Sequence, residues 1–299
     1  MKCDSLFCCA MLQCSQYFDG KRRQNNMSLR MEEHLRGFEA RMDEEIAKRE
    51  AFIRDQVLGT GGQGVVLGLS GGIDSAVTAA LAARALGPDK VVALWMGAES
   101  SSVHHRDAKL VADTYGFRFI EVDFSEIVNQ FHGVMAQSAE ALPAELRVGQ
   151  DNPLVKGNLK PRFRKNAEYW MAALLGYRVA NTCNWSETAI GYETKYGDAA
   201  GDFSVLGDLV KAEIYLLAKH LGMPEQLVTK APSADLWEGH TDEAEIGISY
   251  KDLDTYLCTG EGDAETIAKI DRLYQLSAHK RNPMPLVSPP KYPGEGGVN

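Results

Sequence analysis

A short apolar run, Val65-Val66-Leu67-Gly68-Leu69, is followed at once by Ser70-Gly71-Gly72-Ile73-Asp74-Ser75 and then by Ala76-Val77-Thr78-Ala79-Ala80-Leu81-Ala82-Ala83-Arg84-Ala85-Leu86, closed by Gly87-Pro88. The first run is β-branched at its start, the pattern of a buried parallel strand. The last is an alanine-rich helix with a glycine–proline stop. A strand, a glycine-rich turn and a helix N-terminus in this order dictate an α/β unit with an anion site at the turn. Glycines allow close backbone approach, while free N–H groups and the positive helix end face the ligand. Ser70 and Ser75 add hydroxyl donors, and Asp74 adds a carboxylate suited to Mg²⁺ held between phosphates.

The spacing differs from GxxxxGK[ST], whose lysine reaches the β- and γ-phosphates, because no lysine follows here. SGGIDS instead resembles the pyrophosphate loop of the ATP pyrophosphatase group, which includes the synthetases of GMP, asparagine, argininosuccinate and NAD. That resemblance implies that the β- and γ-phosphates leave together and that the α-phosphorus is attacked. Upstream, Gly59-Thr60-Gly61-Gly62-Gln63-Gly64 matches the dinucleotide fingerprint GxGxxG. It follows a helical pattern and precedes a strand, the reverse of the required context, and reads as a helix-to-strand connection.

Residues 29–58 carry apolar positions at Met31, Leu35, Phe38, Met42, Ile46, Ile53 and Val57, which predicts one long amphipathic helix. Strand and helix then alternate: strand 65–69 with helix 75–86, strand 91–96 with helix 104–115, strand 117–122 with helix 125–138, and helix 162–175 before strand 178–181. The pattern predicts an α/β fold, a Rossmann-like parallel sheet flanked by helices on both faces, with the site at the carboxyl ends of the strands. Further helices are expected near 208–221, 243–248, 250–258 and 263–279, and His104-His105 reads as a helix start rather than a metal pair. The expected organisation is a disordered extension over 1–28, one catalytic domain over 29–285 and a flexible tail over 286–299, rich in proline and glycine.

The net charge of −9 at pH 7 argues against a nucleic-acid partner. No apolar run approaches the ~18–20 residues of a membrane helix. Cys3, Cys8, Cys9 and Cys14 crowd the extension without the CxxC pairs or histidine of a zinc site. A secretory signal fits poorly as well, since the basic Lys21-Arg22-Arg23 follows a broken apolar stretch. The segment reads as an unstructured extension or as translation begun upstream of Met27. Cytoplasmic, reducing conditions suit the remaining Cys183 and Cys258.

Thr182-Cys183-Asn184-Trp185-Ser186-Glu187 follows directly on an apolar strand and so reaches the same sheet edge as the first loop. A helix N-cap at Asn184 or Ser186 accounts for part of it. Gly191 through Asp202 then concentrates glycine, lysine and carboxylates in a loop without period, the kind of segment that carries function. Four stretches, TCNWSETAIGYETKYGDAAGD, GNLKPRFRKNAEYW at 157–170, KAPSADLWEGHTDEAEIGISYKDLDTYL at 230–257 and His279-Lys280-Arg281, together with Lys211, resemble the ammonia-dependent NAD synthetases over about residues 30–285.

The resemblance implies a ligase that amidates deamido-NAD with ammonia and ATP, giving NAD, AMP and pyrophosphate through an adenylated intermediate. By position, Gly68, Leu69, Ser70, Gly71, Gly72, Ile73, Asp74 and Ser75 would hold the ATP phosphates, with Met96, Thr182, Lys211 and Ser233 also on ATP. Mg²⁺ would sit on Asp74 and Glu187. Arg162, Tyr169, Lys195, Asp202, His279 and Lys280 would bind deamido-NAD. Asp74, Glu187 and Lys211 would form the catalytic set with Asp198, the candidate acceptor of the ammonium proton. The implied partner is a second copy of the chain, with 29–58 and 162–175 as interface elements. Ammonia rather than glutamine is expected as donor, because only about sixty residues precede the loop, short of a second domain. Glu193, Gly97 and Phe203-Ser204-Val205-Leu206 depart from the family's usual residues. A tRNA-modifying enzyme would call for a basic surface and catalytic cysteines. An inactive binding protein would not be expected to keep Asp74, Glu187, Lys195 and Lys211 together.

Overall fold

The computed structural model describes residues 28–97, 102–230 and 242–287. Cys3, Cys8, Cys9, Cys14 and Ser233 lie outside the described residues, as does nearly all of the expected extension and tail. Five parallel strands, β1 (Val65–Gly68), β2 (Val91–Gly97), β3 (Arg118–Asp123), β4 (Arg178–Asn181) and β5 (Phe203–Ser204), form one sheet in the order β3-β2-β1-β4-β5. Val65, Leu67, Val91 and Ala93 face one helical layer, and Val66, Val92, Leu94, Met96 and Val179 face the other. Alternate side chains of a strand point to opposite faces, so strands covered on both sides are apolar throughout.

The first layer holds α1 (Leu29–Glu39), α2 (Met42–Leu58), α3 (Ile73–Leu86) and α4 (Ser102–Tyr115). The second holds α5 (Ser125–Ala139), followed in the chain by α6 (Pro153–Gly157) and then α7 (Leu159–Leu175), which also covers this face. Beyond β4 come α8 (Trp185–Ile190), α9 (Lys211–His220), α10 (Glu225–Val228), α11 (Asp242–Ile246), α12 (Tyr250–Thr259), α13 (Ala264–Leu276) and α14 (Ala278–Arg281). From β1 the chain steps outward to β2 and β3, then returns to β4 on the other side of β1. Connections leaving β1 and β4 therefore diverge, and a crevice opens at their carboxyl ends.

Several elements differ from the sequence expectation. The helix expected over 29–58 is two helices broken at Ala40–Arg41. Its halves follow different partners: Met31 and Leu35 pack with Val210 and Ala212, whereas Met42, Ile46, Ile53 and Val57 join the main core against α3. α3 begins at Ile73, which puts Asp74 and Ser75 inside its first turn. α7 begins at Leu159, because Pro161 falls in a first turn where an N–H would have no helical partner. α9 starts only at Lys211, with the Val210 N–H donating to the Glu213 carboxylate at 2.9 Å. The expected 263–279 helix ends at Leu276, where Ser277 Oγ bonds back to the Leu273 carbonyl at 2.7 Å, and α14 restarts. β5 is two residues long and has no period to read. Among the described residues, no helix is long and apolar enough to cross a membrane.

A buried polar knot joins α8, α9 and α12. Ser186 Oγ donates to Asp254 Oδ1 (2.6 Å), the Ala212 N–H donates to Asp254 Oδ2 (2.8 Å), and the Lys211 N–H donates to Ser186 Oγ (3.0 Å). Burial pushes the Asp254 carboxyl from its ordinary 3.8 up to about 7. The folded chain therefore keeps this proton where the unfolded chain has lost it. Its stabilising contribution is full below pH 3.8 and declines as pH rises through about 7. Denaturant unfolding across that window should show this falling component in the wild type and lack it in Asp254→Asn. Equal pH slopes in the two proteins would contradict the assignment.

Candidate active site

β1 ends at Gly68, and the Leu69 N–H makes a last sheet bond to the Leu94 carbonyl at 2.9 Å. The chain then turns through Ser70–Gly72 into α3. Gly71 has φ +80°, and a Cβ there would overlap the backbone carbonyl of His104, so this position requires glycine. Ser75 Oγ accepts from the Ser70 N–H (3.1 Å) and donates to the Gly72 carbonyl (3.1 Å), which folds the turn back on the helix. Gly72 caps α3 without a side-chain hydrogen bond. The first-turn N–H groups are thus left as donors for an anion, reinforced by the helix dipole.

Above this turn, Lys211 Nζ donates to Asp74 Oδ2 (2.7 Å) and to Glu187 Oε1 (3.2 Å), with only 3% of the lysine side chain exposed. Asn184 Nδ2 holds the other Asp74 oxygen at 2.9 Å. Asn184 also caps α8: its Oδ1 accepts from the Glu187 N–H (3.0 Å), and Glu187 Oε2 accepts from the Asn184 N–H (3.3 Å). The capping role and the site role therefore belong to the same residue. Fully buried Tyr250 lies beneath, its ring centroid 5.1 Å from Lys211 Nζ and its hydroxyl 3.5 Å from Glu187 Oε1. Burial pushes the Glu187 carboxyl up to about 8, with Asp74 and Asp242 adding to the rise and Lys211 opposing it. Burial disfavours the charge on Lys211, but Asp74 and Glu187 outweigh it and hold the ammonium protonated well above its ordinary range.

Asp74 and Glu187 direct hard carboxylate oxygens at one point, now taken by an ammonium. That donor set fits Mg²⁺, which binds one or two carboxylates and completes its shell with substrate phosphates and water. Among the described residues, no group of three or more His, Cys, Asp or Glu side chains is arranged to hold a metal alone.

A cleft of about 690 Å³ lies between the loops of β1 and β4. Gly68, Leu69, Ser70, Gly72, Ile73, Asp74, Ser75, Met96, Thr182, Glu187 and Lys211 line it, as do Arg162, Lys195, Asp198, His279 and Lys280. Gly71 faces α4 instead. Tyr169 and Asp202 are not brought to the cleft: Tyr169 is exposed and donates to Asp202 Oδ1 at 3.3 Å, while Asp202 Oδ2 accepts from the Val179 N–H at 2.8 Å. Arg162 Nε is bonded to the Lys195 carbonyl (3.2 Å). Lys280 Nζ donates to the carbonyls of Gly191 and Glu193, both at 2.6 Å, closing the end of α8. Asp198 accepts from the Thr194 N–H at 2.9 Å, and burial raises its carboxyl. Burial likewise pushes the Cys183 thiol well up, leaving it a poor nucleophile.

Three features escaped the sequence reading. Lys165 and Glu168 form a buried pair at 2.6 Å on the cleft floor; two charged residues on the sheet-facing side of α7 were the available signal. Tyr192 donates to Asp242 Oδ1 (3.2 Å) and Glu245 Oε2 (2.8 Å) on another wall. Lys230 reaches the Gly71 carbonyl, and no periodicity marks it.

The sequence pattern described as NAD synthase matches residues 45–284. A Syntrophomonas wolfei protein, an NH3-dependent NAD(+) synthetase, is 41% identical over 239 residues, covering 79% of this chain and 92% of that one. A structure of NMN synthetase from Francisella tularensis superposes with a TM-score of 0.74 at 30% identity, covering 84% of this chain and 99% of its own. An NH3-dependent NAD synthetase from Campylobacter jejuni, in complex with nitrate, gives a TM-score of 0.65 at 30% identity, covering 83% and 99%.

Lys211→Met should leave Asp74 and Glu187 buried together without their cation. The expected loss of stability is about 3–5 kcal/mol, the cost of breaking a buried pair. It should shrink as pH falls, because the buried Glu187 carboxyl, pushed up to about 8, takes its proton. Denaturant unfolding checks this, and a loss of only about 0–1 kcal/mol, the range of an exposed pair, would contradict it.

Proposed function

The chain belongs to the NAD synthase family, and on that premise we propose that it amidates deamido-NAD with ammonia and ATP, giving NAD, AMP and pyrophosphate. The observation that carries this reading is the meeting of an uncapped helix start with Asp74, Glu187 and Lys211 in one cleft. A carboxylate is a poor electrophile, so the reaction needs a leaving group on it. The nicotinate carboxylate attacks the α-phosphorus in line, and pyrophosphate departs. Donors on the cleft wall, the loop N–H groups and Lys211, which would yield the Asp74 and Glu187 oxygens to a metal, stabilise the charge that develops. Mg²⁺ held by Asp74 and Glu187 would supply charge neutralisation across the phosphates. Ammonia then attacks the acyl carbon and AMP leaves. Asp198, a carboxylate in the cleft, is assigned to accept the ammonium proton.

Two assignments follow the family rather than the cleft. Tyr169, on α7, and Asp202, just before β5, are exposed and bonded to each other, which suits a dinucleotide reaching beyond one subunit. We assign a homodimer for this reason, and the surface supports it. Ile127, Phe131, Val134 and Met135 form one exposed apolar face of α5, which packs on α7, where Trp170 and Leu174 are also exposed. Contiguous apolar patches of this kind mark association surfaces. The apolar stripe of 29–58 is buried in the chain's own core, which leaves the opposite face of those helices for the interface expected there. The unit that carries the reaction is taken as residues 29–285, in a cytoplasmic setting that keeps Cys183 and Cys258 as thiols.

Incubation with deamido-NAD, Mg-ATP and ammonium should yield NAD and AMP in equal amounts, while glutamine should serve poorly. ADP as product would overturn the reading. The likeness to an NMN synthetase makes the mononucleotide the second substrate to assay; its faster amidation would reassign the specificity. Asp74→Asn and Glu187→Gln should each cripple adenylation, and near-normal turnover in either would remove the metal assignment. Phe131→Glu should give a monomer by sedimentation, and an intact dimer would exclude the α5 face.

A further inference from the structure

The loop SGGIDS has no lysine of its own, yet the fold brings one to it from 159 residues away. Lys230 Nζ donates to the Gly71 carbonyl (3.3 Å), to His104 Nδ1 (2.9 Å) and to Asp107 Oδ2 (2.6 Å). Asp107 is buried, and its other oxygen is fixed by Gln226 Nε2 at 2.9 Å. Two of the three ammonium protons are therefore committed to short partners on α4, while the third makes a long contact with the phosphate loop itself. The Lys230 side chain is 22% exposed and lines the cleft.

We propose that Lys230 is a further catalytic residue, which binds the β,γ-pyrophosphate of ATP and stabilises it as it leaves. The proposal rests on the reading of the cleft as an ATP site. An anionic phosphate oxygen seated on the loop N–H groups is a stronger acceptor than the neutral Gly71 carbonyl and takes over the third proton. The four other lysines that line the cleft are engaged elsewhere: Lys211 with Asp74 and Glu187, Lys165 with Glu168, Lys280 with the carbonyls behind α8, and Lys195 over the Tyr196 ring. In the adenylation step the carboxylate oxygen bonds to the α-phosphorus, and the bond from that phosphorus to the bridging oxygen breaks. The electron pair stays on pyrophosphate, whose added charge falls beside Lys230. Asp107 acts through the lysine, as a positioning residue.

Calorimetric titration of the full chain with magnesium pyrophosphate and, separately, with AMP tests this. Lys230→Met should weaken pyrophosphate binding about 10- to 100-fold, the loss of one charge-assisted hydrogen bond, and leave AMP binding unchanged. Lys230→Arg should retain most of the affinity. Lys230→Gln, which keeps donors without the charge, replaces the methionine variant if that one fails to fold, with the same expected loss. Unchanged pyrophosphate affinity, or equal losses for pyrophosphate and AMP, would overturn the role of Lys230. Wild-type chain that binds neither ligand would instead overturn the ATP-site reading beneath it.

Discussion

Lys211 is an ammonium taken out of water and set between two carboxylates that the chain supplies from distant segments. Asp74 comes from the first turn of α3, Glu187 from the first turn of α8, and Lys211 from the first residue of α9. Removing these ions from water costs several kcal/mol each, and only close, multiply bonded geometry offsets it. The triad therefore demands that three helix starts meet within hydrogen-bond reach. Their dipoles all present positive ends to the same cleft. Two first-turn carboxylates are favoured there, the lysine is not, and the carboxylates hold it in place. The same convergence of positive ends suits a polyanionic ligand.

Sheet order makes this convergence possible. Because β4 returns beside β1 from the far side, the loops after these two strands diverge, and α3 and α8 begin on either side of the opening. α9 is brought in by the Ser186–Asp254–Ala212 knot, which fixes its first turn against α8 and α12. Asn184 performs two tasks in the same place, closing the start of α8 and bonding Asp74 across the crevice. Scaffold and site are one hydrogen-bonded system, so the helix starts that carry these carboxylates are set in place before charge develops.

The strand–turn–helix unit at 65–86 was legible because its signals are local: a β-branched run, two adjacent glycines and an alanine-rich helix with its stop. The apolar strand before Thr182 likewise put Thr182 and Glu187 at the same sheet edge, and the family resemblance added Lys211. What escaped depends on tertiary partners. The break at Ala40–Arg41 arises because Met31 and Leu35 pack on a different helix pair from Ile46 and Ile53, while the apolar period runs through it without interruption. Lys165 and Glu168 interrupt an apolar face and become intelligible only as a pair. Lys230 stands two residues before Pro232 in a segment without period, and nothing near it in sequence points to Gly71. Lys280, expected to bind substrate, lines the cleft with its ammonium on two backbone carbonyls, contacts that sequence spacing does not encode.

The central claim is that the substrate carboxylate attacks the α-phosphorus of ATP held on the loop of α3. Deamido-NAD labelled with ¹⁸O in both nicotinate carboxylate oxygens tests it in a single turnover. Formation and cleavage of an acyl-adenylate would carry one labelled oxygen into AMP and leave pyrophosphate unlabelled, as read by mass spectrometry of the products. Label in inorganic phosphate, or AMP free of label, would contradict the account.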